Sequence, residues 1–275
     1  MKESVKEKVI EKIKEYTGHK YVHLTNCGDS AVFLAYYIVK KTNPKAFVLV
    51  PDQGGWLTYP NYPKILNFDV KKLETDYGVV KLKELEKQVK KVAAFITQNP
   101  AGYFAEQPMK YIHELCKDKC ILIEDVTGSL GSELCNGEYA DIMIGSFGKW
   151  KPINIGDGGF ISTNNQDYFV KVKDIFSLTK TKLDYKDLLE KLENVSKKYE
   201  FYNKTREKII NDLNKYDILH KDKKGINVVV KYKDDKEKQE VIKYCKKSNL
   251  EYTECPRYIR VEEQAISIEV KRLDV

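Results

Sequence analysis

Through the first 165 residues, short apolar runs alternate with stretches whose apolar side chains recur at helical spacing, and this rhythm constrains the fold more than any other feature of the chain. Val5, Val9, Ile13 and Tyr16 share one helical face and Gly18 follows as a cap, which predicts an opening helix within residues 1–17. Strand-type segments follow at 21–24, 47–50, 64–68, 92–97, 120–124, 141–147 and 159–163, and helical ones at 30–41, 82–89 and 106–116. Such alternation builds an α/β fold, a mostly parallel sheet of the seven-stranded type with helices on both faces. Ligands bind at the carboxyl ends of strands in that architecture, so the residues just after each strand are the first place to look for chemistry.

The rhythm changes beyond residue 165. Residues 166–220 read as connecting helices, with Leu188, Leu189, Leu192, Val195 and Tyr199 on one face. Residues 221–275 read as a small α+β domain, with strands at 226–232, 251–253, 258–261 and 265–270 around a helix at 236–247. A chain of 275 residues is long enough for such a division into a large domain over 1–165, a connection and a small domain.

Composition narrows the function classes. No apolar run approaches the roughly 18 residues of a membrane span, and residues 1–17 are charged throughout, so a cytoplasmic protein without a membrane partner is expected. The net charge of +7 is spread as Lys alternating with Glu and Asp along helices, which predicts a solvated surface with some attraction for small anions and no nucleic-acid partner. Six cysteines, at 27, 116, 120, 135, 245 and 255, form no C-x-x-C pair and read as reduced thiols. His113, Cys116 and Cys120 are the nearest approach to a metal cluster, but they flank a helix end and a strand start, so packing accounts for them and no metal is expected. Heavy Lys and Glu with only four Arg is a composition that thermophiles and low-GC genomes share.

Four strand ends carry chemistry. Gly28-Asp29-Ser30-Ala31 opens a helix, either as a phosphate cradle of free backbone N–H groups or as an ordinary cap. Trp56 follows Gly54-Gly55, where the backbone can approach a ligand and an indole can stack on a flat ring or simply fill core. Glu124-Asp125 ends an apolar strand, and strand alternation turns one carboxylate toward the pocket and the other away. Ser146-Phe147-Gly148-Lys149-Trp150-Lys151 places two lysines after a buried strand, ahead of Gly156-Asp157-Gly158-Gly159, and a lysine beside a buried sheet can serve as nucleophile or base.

In this order the four pieces resemble the fold-type I pyridoxal-phosphate enzymes, and most closely the DegT/StrS sugar aminotransferases, over about residues 15–165. In that family a Gly-Thr-Ala-Ala-Leu turn binds the cofactor phosphate, an aromatic stacks on the pyridine and an Asp pairs with its nitrogen. A Ser-Phe-x-x-x-Lys segment before a Gly-Asp-Gly-Gly turn supplies the Schiff-base lysine. The resemblance implies that Lys151 is that lysine, with Lys149 as the alternative, that Asp125 pairs with the pyridine nitrogen, and that Trp56 stacks on the ring. It also implies that Gly28, Asp29, Ser30 and Ser146 surround the phosphate. The family's Gln or His three residues after the aspartate, which contacts the phenolic oxygen of the cofactor, is Gly128 here, and Asn99 is the candidate substitute. Arg257 and Arg260 fall where related enzymes bind a substrate carboxylate, or are exposed strand residues.

The function implied is a homodimeric pyridoxal-phosphate aminotransferase that moves an amino group from an amino acid to a keto sugar or keto acid. A lyase acting on a small amino acid and an inactive binding or regulatory module of the same fold are the alternatives. The second would draw on the missing Gln or His, and the first on the compressed C-terminal part.

Overall fold

The computed structural model describes residues 4–273. The chain runs α1 (Val5–Thr17), β1 (Tyr21–Thr25), α2 (Gly28–Thr42), β2 (Phe47–Pro51), α3 (Tyr62–Ile65), β3 (Asp69–Leu73), β4 (Thr75–Asp76), β5 (Val79–Val80), α4 (Leu82–Gln88) and β6 (Ala94–Gln98). It continues through α5 (Met109–Cys116), β7 (Ile121–Asp125), β8 (Ile142–Ser146), β9 (Gly159–Thr163), α6 (Gln166–Val172) and α7 (Tyr185–Asp212). β10 (Asp217–Ile218), β11 (Val228–Lys231), α8 (Asp235–Lys247), β12 (Tyr252–Cys255) and β13 (Ala265–Ile268) complete it.

Seven strands form the large sheet in the order β1-β9-β8-β7-β6-β2-β3. The ladders joining β3, β2, β6, β7 and β8 are parallel, and only β9 runs against its neighbours, pairing antiparallel with both β8 and β1. Because side chains alternate across a strand, β7 sends Ile121 and Ile123 into the apolar layer with α2 and sends Leu122 into the layer with α1 and α7. Asp125 therefore shares the α2 face with Ile123, and Glu124 the opposite one. The helix α1 begins with a capping box, Ser4 and Glu7 satisfying one another's backbone N–H groups, and ends at Gly18 in the left-handed region.

A smaller antiparallel sheet, β10-β11-β13-β12, follows the 28-residue α7. Val229, Cys255, Val261 and Ala265 pack in one cluster with Phe104 and Ala105, so the C-terminal sheet closes on the loop after β6.

Two segments differ from the sequence expectation. The strand expected at 64–68 is displaced: Pro63 lies in the first turn of α3, and the edge strand is the charged Asp-Val-Lys-Lys-Leu of β3. Its backbone is held by parallel pairing from Phe47 opposite Asp69 to Pro51 opposite Leu73, and so it needs no apolar run of its own. The strand expected at 258–261 is instead part of the loop between β12 and β13, closed by Arg257 N–H donating to the Val261 carbonyl.

Candidate active site

The carboxyl ends of β7 and β8 and the N-terminus of α2 enclose a cavity of ≈ 110 Å³. Gly28, Asp29, Trp56, Asp125, Ser146 and Lys151 all line it, and Tyr103 and Thr127 complete its polar wall.

Asp125 is 7% exposed and is held at both oxygens. The Thr127 N–H donates to Oδ1 at 2.8 Å and the buried Tyr59 hydroxyl donates to Oδ2 at 2.6 Å. Burial, reinforced by the Asp125 charge, raises the Tyr59 phenol well above its ordinary value, so it remains a donor. On the other face of β7, Glu124 is buried with Oε1 accepting from Asn99 at 3.0 Å and Oε2 unpartnered. Burial pushes this carboxyl up to about 8, with the Asp125 charge adding to the rise and the Asn99 hydrogen bond opposing it.

Lys151 Nζ donates to the Tyr103 hydroxyl at 2.9 Å and lies 4.5 Å from the centroid of the Trp56 ring. Lys149, two residues earlier, is exposed and rests over the Trp150 ring at 4.8 Å, outside the cavity lining. The indole N–H of Trp56 donates to Asp29 Oδ1 at 2.7 Å, and the Thr58 hydroxyl donates to the same oxygen at 3.1 Å. Asp29 thus orients the aromatic wall.

The helix α2 starts after Cys27 with no side-chain cap, leaving first-turn N–H groups for an anion. Gly28 is required there by crowding: a Cβ at this position would lie 2.6 Å from the Ser146 Cβ. Ser146 Oγ in turn accepts from the Gly148 N–H at 3.2 Å.

Four expected site residues are placed elsewhere. Ser30 turns back to donate to Asn26 Oδ1 at 2.6 Å and is absent from the cavity lining. Asn99 is 2% exposed, and its amide is consumed by Glu124, the Leu134 carbonyl and the Gln107 N–H, so it does not substitute at the cavity. Arg260 is 2% exposed and forms a two-pronged pair with Glu269, Nε to Oε1 at 2.8 Å and Nη2 to Oε2 at 2.7 Å, leaving no fork for a substrate carboxylate. Arg257 is exposed on the same loop and away from the cavity lining.

Sequence reading misses Tyr59, Tyr103 and Thr127. Thr127 follows Asp125 by two residues, a spacing at which aspartates commonly bond the backbone, and that signal was readable. The two tyrosines belong to loops whose partners lie 66 and 48 residues away in the chain, and no local pattern announces them.

A buried charge cluster from the segments flanking β13 lies behind Tyr103. The Arg260 guanidinium carbon is 5.0 Å and Lys271 Nζ 4.8 Å from the Tyr103 ring centroid. Although burial alone would raise it, the Arg260 charge and hydrogen bonds, with Lys271 and Arg272, hold Glu269 well below the usual carboxylate range. Burial, against the pull of Glu269, brings Lys271 down to about 7. Among the described residues no group of three or more His, Cys, Asp or Glu is arranged to hold a metal ion, and no helix is long and apolar enough to cross a membrane.

Known proteins share sequence and fold with this chain. The DegT/DnrJ/EryC1/StrS aminotransferase family model matches residues 5–213, and the MJ1341 family C-terminal domain model matches residues 192–275. The chain is 30% identical over 196 residues to a UDP-4-amino-4,6-dideoxy-N-acetyl-beta-L-altrosamine transaminase of Campylobacter jejuni, covering 66% of this chain and 50% of that protein. It therefore spans about half the length of the curated relatives it matches. Among solved structures, a DegT DnrJ EryC1 StrS aminotransferase from Brucella abortus superposes with a TM-score of 0.76 at 14% identity, covering 97% of this chain and 85% of that one. The E. coli GDP-4-keto-6-deoxy-D-mannose-3-dehydratase with bound hydrated PLP gives 0.75 at 16% identity, covering 98% and 87%. The sheet order, the strand-end cavity and the match over more than half of the sequence lead to one conclusion: the chain belongs to the DegT/DnrJ/EryC1/StrS aminotransferase family.

Proposed function

We propose that this protein is a pyridoxal-phosphate-dependent aminotransferase that passes an amino group from an amino acid to a keto sugar. The observation that carries the reading is the convergence of Lys151, Asp125, Trp56 and the uncapped start of α2 on one cavity. These residues fit the cofactor part by part. The α2 N–H groups with Ser146 suit a phosphate, the Trp56 face suits a pyridine ring, the buried Asp125 suits the ring nitrogen, and Lys151 is the cavity amine.

Bound there, pyridoxal phosphate supplies an electron sink for the carbon that bears the migrating amino group. Lys151 would hold the cofactor through its Nζ, and the same amine is placed in the cavity to act as the base that moves a proton at the donor's α-carbon. Asp125, fixed by Thr127 and Tyr59, favours the protonated pyridine nitrogen. Asp29 holds Trp56 against the ring position and so restricts how the bound ring can tilt.

In this reading residues 1–165 carry the cofactor, 166–220 connect, and 221–275 close the site behind Tyr103. The reading extends to a cytoplasmic homodimer. Six free thiols suit a reducing compartment. Leu57 and Trp150, 53% and 46% exposed, each adjoin a cavity residue and offer apolar surface for a two-fold partner at the cavity rim. Light scattering is expected to give twice the 31.9 kDa of the chain.

The test of the central claim is chemical. Protein incubated with pyridoxal phosphate is expected to show a visible absorption band that borohydride bleaches, with the reduced cofactor mapped to Lys151. Label on Lys149 instead, or on neither lysine, overturns the assignment. Adding glutamate or another amino donor without an acceptor is then expected to convert the band to that of the pyridoxamine form.

A further inference from the structure

Position 128, bare glycine, is filled from elsewhere in the chain. A Cβ on Gly128 would lie 2.9 Å from Cδ1 of Tyr103 and 3.2 Å from its Cε1, so the ring of Tyr103 occupies the space a side chain at 128 would need. From there the Tyr103 hydroxyl faces the cavity and accepts from Lys151 Nζ at 2.9 Å.

Holding a tyrosine there takes several independent contacts. Tyr103 has φ 70°, a left-handed conformation unfavourable for a bulky residue, which persists only where the surroundings over-determine it. Its carbonyl accepts from the Ile226 N–H at 2.7 Å, and its N–H donates to the Pro100 carbonyl at 3.1 Å. Arg260 and Lys271 pack against its ring as cations on a π face. Lys271 also donates to the Trp150 carbonyl at 2.8 Å, and Trp150, itself at φ 64°, immediately precedes Lys151. The Arg272 guanidinium covers the Trp150 ring at 4.6 Å. Glu269, bonded to Arg260 and 3.6 Å from Lys271, ties these cations together.

We infer that Tyr103 is a further residue of the catalytic site, its hydroxyl aiming the Lys151 amine into the cavity, and that Lys271 is a positioning residue acting on both Tyr103 and the backbone before Lys151. The inference rests on the reading of Lys151 as the cofactor-bearing lysine. It explains why the segments flanking β13 carry a buried cluster of like charges around one carboxylate: the cluster braces the two residues that flank the reacting amine. Buried ion clusters of this kind add little to stability compared with apolar packing, which leaves positioning as their use.

The experiment measures coupling of pyridoxal phosphate to cofactor-free protein, trapped by borohydride and mapped to Lys151, as a function of cofactor concentration. In Tyr103→Phe the ring and its cationic contacts stay, and only the hydroxyl is lost. The maximal coupling rate is expected to fall about tenfold, the upper worth of one ordinary hydrogen bond, because the amine is no longer aimed, while the half-saturating concentration stays within about twofold. Lys271→Met is expected to lower the same rate by a smaller factor at unchanged half-saturation, with Lys271→Arg recovering part of the loss. A merely structural role would lower the melting temperature and leave the rate of the folded fraction alone. A wild-type coupling rate in Tyr103→Phe overturns the catalytic role, and a wild-type rate in folded Lys271→Met overturns the positioning role. If Lys271→Met does not fold, Lys271→Gln, which falls short of the Trp150 carbonyl, replaces it with the same expected and overturning results. Absence of label on Lys151 in the wild type overturns the site reading and this inference together, whereas label at unchanged rates in the variants overturns the inference alone.

Discussion

The Tyr59 hydroxyl donates to Asp125 Oδ2 across 2.6 Å, joining a fully buried loop tyrosine to the carboxylate at the end of β7. With Thr127 on the other oxygen, the carboxylate cannot rotate away from the cavity.

Replacing either partner separates charge from orientation. Asp125→Asn keeps the shape but removes the charge, and turnover is expected to fall by about a thousandfold with the cofactor still bound. Tyr59→Phe loses one hydrogen bond to a charged group, so turnover is expected to drop about tenfold and stability by about 1–2 kcal/mol. Steady-state kinetics with urea denaturation checks both, and equal turnover in Asp125→Asn and wild type would refute the electron-sink role.

Asp29 makes a different prediction because it acts through Trp56. The chain has two tryptophans, so in a Trp150→Phe background the emission reports Trp56 alone. Pyridoxal phosphate is expected to quench that emission, and Asp29→Ala to raise the half-quenching concentration severalfold by freeing the indole. Quenching at an unchanged concentration would show that the hydrogen bond does not position the ring.

The two arginines of the loop before β13 are expected to behave oppositely. Arg260→Met removes the two-pronged partner of the buried Glu269 and is expected to cost about 3–5 kcal/mol of stability, the usual penalty for breaking a buried pair. Arg257→Ala, on an exposed side chain, is expected to change stability by less than about 0.5 kcal/mol and to leave the KM for the amino donor unaltered. A large rise in that KM for Arg257→Ala would restore it as a carboxylate binder.

Glu124 sets a pH dependence. Its folded carboxyl is pushed up to about 8 from an ordinary 4.5, so between those values the folded state holds a proton that the unfolded chain has released. Stability from this group is full below about pH 4.5 and is lost as the pH rises toward 8, at up to about 1.4 kcal/mol per pH unit. Glu124→Gln removes the titration, so wild type is expected to lose stability relative to the variant from pH 5 to 8. Urea midpoints that move in parallel for the two proteins across this range would refute the assignment.

Local pattern determined much of this protein. The period of apolar residues specified the helices and central strands, because burial of one stripe or one face imposes a spacing that can be read directly. Strand alternation likewise left one of Glu124 and Asp125 to face the cavity, whereas the preference for Lys151 over Lys149 came from the family resemblance. The rest depended on pairings between distant segments. β3 is a strand because β2 offers it a backbone ladder, although its own sequence is charged. Asn99 is spent on Glu124, and Arg260 on Glu269, for reasons that appear only when the loops and the C-terminal sheet are packed together. Tyr59 and Tyr103 reach Asp125 and Lys151 through loop conformations fixed by those same contacts, and only tertiary structure decides them, since hydrogen bonds between residues so far apart leave no periodic trace in the chain.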